Sequence, residues 1–176
     1  PENPTLEHWY LAFGLDYTRP DGTVVEPPYP VMLWMWNSVK IGLIAGLGVL
    51  AIATISAYAF SRIRIKGKSA MLDGLFLIQM FPTTLALVAI YAIFDALGEV
   101  HPMLGLNSHV ALILIYLSGV TLHIWTIKGY FDKIDTALDK AAAIDGATPW
   151  QTFRHIVLPL AVPIMSVVFV LAFIGF

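Results

Sequence analysis

Four long apolar stretches alternate with shorter polar segments along the chain. The first contains 20 consecutive residues, 41–60, without a charged side chain. Because an α-helix rises about 1.5 Å per residue, roughly 20 apolar residues cross the hydrocarbon layer of a bilayer. The pattern therefore predicts an all-α membrane protein, a polytopic helix bundle. Its four transmembrane helices are expected at 39–60, 70–94, 110–127 and 160–176.

The lysine and arginine content of the polar segments predicts their side of the membrane. Segments 1–38 and 95–109 hold one such residue between them, Arg19, whereas 61–69 and 128–159 hold four each. Cytoplasmic loops are enriched in lysine and arginine. We therefore expect 61–69 and 128–159 to be cytoplasmic and the other two to be extracytoplasmic. An external N-terminal segment also leads us to expect another span upstream of residue 1.

The cytoplasmic residues 135–159, here called the elbow segment, have the pattern of two short helices joined by a turn. Asp135 or Thr136 can cap the first helix, and Thr136 with Asp139 has the spacing of a capping box. Gly146 is expected to end this helix, because glycine enters the left-handed conformation at little cost. A short amphipathic loop resting at the membrane interface is the alternative interpretation.

The second helix of the elbow segment has strong start signals. Thr148 is an expected N-cap, Pro149 suits the first helical position, and Gln151 can complete a capping box. Pro159 predicts an end or a kink, because proline lacks the backbone N–H that a helix interior needs. An apolar stripe between these signals comprises Phe153, Ile156 and Val157.

The amino-acid composition limits the kinds of site and partner that the chain can have. Hydrophobic residues make up 58% of the chain and charged residues 12%, against about 25% charged residues in soluble domains. The net charge of −2 and the lack of a basic stripe predict no nucleic-acid partner. The chain has no cysteine, which excludes thiol chemistry. We expect contact with the lipid bilayer instead.

No catalytic, cofactor or metal site is predicted in this chain. Gly67-Lys68-Ser69 is similar to the end of a phosphate-binding loop, but position 62, which would need glycine, is Arg62. His101 and His109 have no known metal-ligand spacing. We therefore expect this chain to bind neither ATP nor Mg²⁺.

Within the spans, two groups of residues have candidate roles. Glycines at 42, 46 and 48 provide a smooth helix face against which another helix can pack closely. Pro82, with Gln79 nearby, interrupts the second span, and His123 is a histidine at membrane depth. These last three residues are the candidates for a transport pathway, with a structural kink and an interfacial histidine as the alternatives.

The elbow segment resembles the EAA loop of the permease subunits of ABC importers. In that family the loop docks into a groove on a cytoplasmic ATPase and transmits its closure to the membrane helices. The positions that match the loop are Ala141, Ala142, Asp145, Gly146, Ala147, Ile156, Leu158 and Pro159. With Asp139, Lys140, Trp150 and Phe153 they form the ATPase-coupling set that the resemblance implies. The family's leading glutamate is replaced by Lys140, which leaves that ATPase contact open.

Almost the whole chain is also similar to the maltose and maltodextrin branch of these type I permeases. The segments that carry this similarity are 27–30, 33–40, 57–60, 79–82 and 123–131. The resemblance implies six spans, of which the four here are spans two to five, in a bacterial inner (plasma) membrane. It also implies three kinds of partner: a larger MalF-like permease subunit, two copies of a MalK-like ATPase that binds ATP and Mg²⁺, and a periplasmic sugar-binding protein.

Two classes of alternative stay open at this level. The first is a permease of the same type for another oligosaccharide or a polyol. The second is a subunit of a channel or membrane enzyme outside the ABC class, although the sequence has neither a pore filter pattern nor a nucleophile with its base.

Overall fold

The computed structural model of the protein describes residues 5–175. Most of these residues are helical, and a short helix with a two-stranded hairpin precedes the long helices. The chain divides into two compact units, Pro1–Ile41 and Gly42–Phe176.

The first unit has a short helix followed by a two-stranded antiparallel hairpin. Gly22, with φ of +82°, lies in the turn of this hairpin, where the sequence predicts a turn. The carboxylate of Glu7 pairs with the guanidinium of Arg19, which lowers the pKa of Glu7. The elements are α1 (Glu7–Ala12), β1 (Tyr17–Thr18) and β2 (Val24–Val25), with Tyr17 opposite Val25.

Helices dominate the rest of the described chain. Their bounds are α2 (Val31–Arg62), α3 (Lys68–Gln79), α4 (Thr83–Val100), α5 (His109–Leu117), α6 (Thr121–Phe131), α7 (Ala137–Ile144), α8 (Pro149–Thr152) and α9 (Leu158–Gly175). Short 3₁₀ turns cover Pro102–Leu104 and Ser118–Val120, and a π-helix covers Phe153–Val157.

Three helical stretches within residues 5–175 are long and apolar enough to cross a membrane. They are Val31–Arg62, His109–Phe131 and Pro149–Gly175. The first begins before the predicted residue 39, and the third begins before the predicted residue 160. A bent pair of helices raises the number of candidate spans to four.

The bent pair lies where the sequence predicts a single span at 70–94. Helix α3 ends at Gln79, and residues 84–100 continue at 90° to it. Pro82 lies in the break between the two helices. Its lack of an N–H removes one helical hydrogen bond, and its ring disfavours helical geometry at the residue before it. The interruption that the sequence predicts here is therefore a full change of direction.

One face of α2 is packed against the other helices. Ala45, Val49, Ala53 and Ala57 recur every four residues and are 0% exposed. This spacing places them in one row along the helix. The main cluster of buried residues adds side chains from α6, α9 and the π-helix, among them Ile127, Phe131, Phe153, Val157 and Val168.

The glycines of α2 allow close packing along the same helix. A Cβ atom at Gly42 would lie 3.1 Å from the ring of Phe173, and one at Gly46 would lie 3.3 Å from the ring of Phe169. Both rings belong to α9. Gly48 instead faces α5, where Leu117 would be 2.8 Å from an added Cβ. The α2 glycines thus lie against two different helices.

Candidate functional site

The first helix of the elbow segment, α7, is capped by Asp135. The backbone N–H of Ala137 donates to Asp135 Oδ1 over 2.8 Å. Among the described residues, the side chain of Thr136 makes no capping hydrogen bond. The predicted capping box of Thr136 and Asp139 is therefore wrong, and the alternative cap, Asp135, is correct. Asp139 is drawn to another partner, described below.

Gly146 ends α7 in the left-handed conformation, with φ of +82°. The N–H of Ala147 donates to the carbonyl of Ala142 over 2.9 Å, and the N–H of Gly146 donates to the carbonyl of Ala143 over 3.1 Å. These two bonds form a Schellman motif, which satisfies carbonyls that a helix end would leave without partners. The turn of the elbow segment is thus fixed by its own backbone.

The capping box predicted at the start of α8 is present. Gln151 N–H donates to Thr148 Oγ1 over 3.3 Å, and Thr148 N–H donates to Gln151 Oε1 over 2.7 Å. Pro149 occupies the beginning of the helix, where a missing N–H is harmless.

Pro159 does not end the helix, which was one of its two predicted roles; the other, a kink, stays a prediction. The helical stretch runs from Pro149 to Gly175 through a π turn. In that turn the N–H of Leu158 donates to the carbonyl of Phe153, five residues earlier. We attribute the continuity to this wide turn, because it lies where the proline ring would collide with a regular helix. The elbow segment therefore continues directly into a membrane span.

Three residues at the C-terminal end of α2 hold the elbow segment and the residues just before it. We call Tyr58, Ser61 and Arg62 the α2 anchor. Tyr58 Oη donates to the carbonyl of Pro149 over 3.2 Å, and Ser61 Oγ donates to Asp132 Oδ1 over 2.7 Å. One contact thus lies before α7 and the other lies in α8.

Arg62 supplies two further contacts of the α2 anchor. Its Nη2 donates to the carbonyl of Ile134 over 2.7 Å, and its Nε lies 2.9 Å from Asp139 Oδ2. The side chains of Arg62 and Asp139 are 10% and 24% exposed. Because this ion pair is largely shielded from water, its attraction is stronger than that of a surface pair.

Asp132 is held from two sides. Lys128 Nζ lies 2.6 Å from Asp132 Oδ2, in addition to the hydrogen bond from Ser61. Burial by itself raises the pKa of Asp132, but the hydrogen bonds from Lys128 and Ser61 outweigh it and lower the pKa below its ordinary value. The contact is therefore charged at neutral pH, and its stabilisation is lost only as the pH falls through this lowered pKa.

Aromatic rings pack between the elbow segment and helices α2 and α6. The ring of Tyr58 lies 4.6 Å from that of Phe153, centroid to centroid, and 6.3 Å from that of Phe131 in an edge-on arrangement. Phe153 is 4% exposed and Phe131 is 0% exposed. Phe153, a member of the predicted coupling set, thus packs inward against the spans.

The other side of the elbow segment is open. Ile144 is 87% exposed and Trp150 is 59% exposed. A depression of about 320 Å³ lies between the two helices. Its lining residues are Asp145, Gly146, Ala147, Gln151, Thr152, His155 and Ile156. Four members of the coupling set, Asp145, Gly146, Ala147 and Ile156, therefore line one depression.

The remaining members of the predicted coupling set divide by burial. Ala142 is buried at 6% exposure, and Leu158 is half-buried. Ala141, Lys140 and Pro159 are exposed.

The candidate pathway residues lie apart from this surface. Gln79 ends α3, Pro82 precedes α4, and both are exposed. His123 is half-buried in α6. Their transport role stays a prediction.

The α2 anchor is the part of the site that sequence reasoning missed. From the sequence, the four basic residues of 61–69 indicated only on which side of the membrane their loop is expected. A usable signal was present, because 128–159 carries four acidic residues and is predicted to face the same side of the membrane as 61–69. Which basic residue meets which acidic one depends on the fold.

Comparison with known proteins bears on the same residues. Residues 49–176 match the model of the family described as binding-protein-dependent transport system inner membrane component. The chain belongs to this family. It is therefore a multi-pass inner-membrane protein, and the matched region includes both the α2 anchor and the elbow segment.

Curated relatives in this family share more than half of their aligned residues with the chain. The maltose/maltodextrin transport system permease protein MalG of Vibrio parahaemolyticus is 59% identical over 99% of this chain. MalG of Yersinia pestis is 56% identical and that of Escherichia coli K12 is 54% identical, each over 99% of this chain. The chain spans 58–59% of the length of these relatives.

Proposed function

We propose that this chain is the membrane-spanning part of a permease subunit in an ATP-driven importer of maltose and maltodextrin-type sugars. The identity of its relatives as maltose/maltodextrin permease proteins supports the sugar class, and the family supports transport. In this proposal the chain is not itself an enzyme. ATP and Mg²⁺ are bound by a separate cytoplasmic ATPase, and this chain holds no cofactor.

The assembly has four kinds of component. This chain pairs with a larger MalF-like permease subunit, two copies of a MalK-like ATPase bind on the cytoplasmic side, and a periplasmic binding protein delivers the sugar. Ile144 and Trp150 are exposed on the elbow segment. Burial of such large apolar side chains against another protein is favourable, so this surface suits a protein partner.

One observation carries the mechanism. The second helix of the elbow segment continues into α9 without a break over Pro149–Gly175. A displacement of the elbow segment by the closing ATPase dimer is therefore transmitted to a membrane span. The spans rock, and the sugar cavity opens alternately to the two sides. The ATPase supplies the differential contact with the two states that such a shift requires.

The test uses Gly146→Val in the full-length subunit, assembled into the complete importer and placed in vesicles. A β-branched residue at φ of +82° costs roughly 1–2 kcal/mol. Among the described residues nothing lies within 4 Å of an added Cβ, so backbone strain is the only local effect. We expect ATP hydrolysis to persist while sugar uptake falls.

The matched control is Gly146→Asn, because asparagine tolerates the left-handed conformation. It should retain most of the uptake. Full uptake by Gly146→Val would contradict the role of the elbow segment. A panel of maltose, longer maltodextrins, other oligosaccharides and polyols, tested on the wild-type importer, decides the substrate class.

A further inference from the structure

The side chain of Arg62 joins α2 to two separate points of the following cytoplasmic segment. It reaches the carbonyl of Ile134, before α7, and the carboxylate of Asp139, inside α7. Ile134 is 72 residues away from Arg62 along the chain. No local rule of helix formation requires this contact, so its purpose lies in the arrangement of the helices.

Asp139 depends on Arg62 for its charge compensation. Within the described residues, its Oδ1 is buried and has no hydrogen-bond partner, while Oδ2 lies 2.9 Å from Arg62 Nε. An ion pair removed from water adds little net stability, but loss of one partner leaves the other as an unfavourable buried charge. Without Arg62 the carboxylate would turn toward water, and α7 would leave the end of α2.

The other residues of the α2 anchor extend this attachment to the residues before the elbow segment and to its second helix. Ser61 holds Asp132 before α7, and Tyr58 holds the carbonyl of Pro149 in α8. Together with Arg62 they fix both helices of the elbow segment to one helix end. Such a set of short contacts favours movement of α2 and the elbow segment as a unit.

The neighbouring cations are engaged elsewhere. Lys128 pairs with Asp132, and Lys68 Nζ donates to the carbonyl of Phe60 over 3.2 Å. Arg64 is exposed. Arg62 is therefore the cation that the geometry assigns to Asp139.

We infer that Arg62 is a positioning residue that makes α2 a second output of the elbow segment, alongside α9. A force on the elbow segment reaches α9 through continuous helix and reaches α2 through the ion pair of Arg62 with Asp139. The inference rests on the proposed function, since it assigns a second route to the same coupling.

The test measures ATP hydrolysed per sugar imported, using the full-length subunit in the complete importer in vesicles. Arg62→Gln removes the charge that faces Asp139 and, because its side chain is two atoms shorter, also the donor to the carbonyl of Ile134. Asp139→Asn removes only the ion pair. Because couplings between sites typically amount to 5–150-fold, we expect this ratio to rise at least about fivefold. Arg64→Gln removes an exposed positive charge from the same loop and should leave the ratio unchanged.

Rescue distinguishes positioning from a general loss of structure. Asp139→Asn alone should raise the ratio as Arg62→Gln does. The exchanged pair, Arg62→Asp with Asp139→Arg, should restore at least half of the wild-type coupling. If the importer with Arg62→Gln fails to assemble, the ratios measured for Asp139→Asn and for the exchanged pair test the inference. An unchanged ratio in Asp139→Asn, or an exchanged pair no better than the single variants, overturns the inference.

Gly146→Val separates this inference from the proposed function. If Gly146→Val uncouples the importer while the Arg62 and Asp139 variants do not, the elbow segment drives α9 alone and only the inference fails. If none of these variants changes the ratio, the coupling role of the elbow segment in the proposed function fails as well.

Discussion

Asp139 and Lys140 are neighbours in α7, but their side chains lie in different surroundings. Asp139 is half-buried and pairs with Arg62, whereas Lys140 is exposed on the open side of the elbow segment. Successive residues of a helix point about 100° apart, which explains the difference. Asp139 therefore cannot replace the family's glutamate at position 140.

An added Cβ atom would have equally little space at Gly48 and at Gly98, yet we expect alanine at these two positions to change stability by different amounts. A Cβ at Gly98 would lie 2.8 Å from the Cα of Gly105, and one at Gly48 would lie 2.8 Å from the end of the Leu117 side chain. Backbone cannot move aside, but a leucine side chain can change rotamer at small cost. Gly98→Ala should lower the free energy of unfolding by about 1–3 kcal/mol, typical of overpacking.

Gly48→Ala is the matched control for this prediction. The helix propensity gained by alanine, up to about 1 kcal/mol, offsets the adjustment of Leu117. Its unfolding temperature in the purified full-length importer should stay near the wild-type value, while that of Gly98→Ala falls. Equal shifts for the two variants would contradict the distinction between backbone and side-chain contacts.

At the scale of elements, the start of α7 depends on one of two adjacent polar residues. Asp135 accepts the hydrogen bond from the N–H of Ala137. Asp135→Ala should therefore destabilise the first turn of α7 by about 0.5–2 kcal/mol, the usual range for loss of an N-cap. Faster hydrogen exchange at the amide of Ala137 would report this loss.

Thr136→Ala and Asp135→Asn are the controls for the cap. Thr136 lies next to Asp135, but among the described residues its side chain makes no capping bond, so its loss should leave the exchange rate unchanged. Asn is as good an N-cap as Asp and should preserve the slow exchange. Faster exchange in Thr136→Ala alone would show that the cap belongs to Thr136.

The two helices of the elbow segment differ in how they join the rest of the protein. Helix α7 is attached through side chains, above all through the ion pair of Asp139 with Arg62. Helix α8 is attached through the backbone, because it continues into α9. The π turn at Phe153–Val157 makes that continuity compatible with Pro159. Removal of one charged group can break the attachment of α7, whereas the continuity of α8 with α9 depends on no single side chain.

For the whole molecule, the prediction concerns the two sides of the membrane. Residues 1–176 contain no cysteine, so a thiol introduced here is the only reactive one in this part, and any cysteine elsewhere in the full-length subunit is first replaced by serine. We expect Asp21→Cys in the full-length subunit to react with a membrane-impermeant maleimide added to intact spheroplasts. Ile144→Cys, at a position 87% exposed on the elbow segment, should react only after the membrane is opened.

This topology follows from the distribution of lysine and arginine between the loops. Labelling of position 144 from the outside would contradict the orientation, and with it the access of the elbow segment to an ATPase. Ala142→Cys is a control for exposure, because Ala142 is 6% exposed and should react slowly on either side.

The sequence by itself determined the features that depend on neighbouring residues and on overall length. Apolar runs long enough for a bilayer predicted the spans, and Gly146, Thr148 and Gln151 predicted the turn and the second cap. Each of these features depends on interactions between residues within about five positions of each other, or on the transfer of a whole apolar segment into lipid. The order of residues along the chain is therefore enough to predict them. The orientation expected from the basic residues stays a prediction.

Only the tertiary structure decided which distant residues meet. The contact of Tyr58 with Pro149 spans 91 residues, and that of Arg62 with Ile134 spans 72. It also decided that α3 and α4 diverge by 90° at Pro82, while the helix passes Pro159 without ending. A proline removes the same hydrogen bond in both places. Whether the helix turns or continues depends on the packing of the surrounding backbone, which no local pattern records.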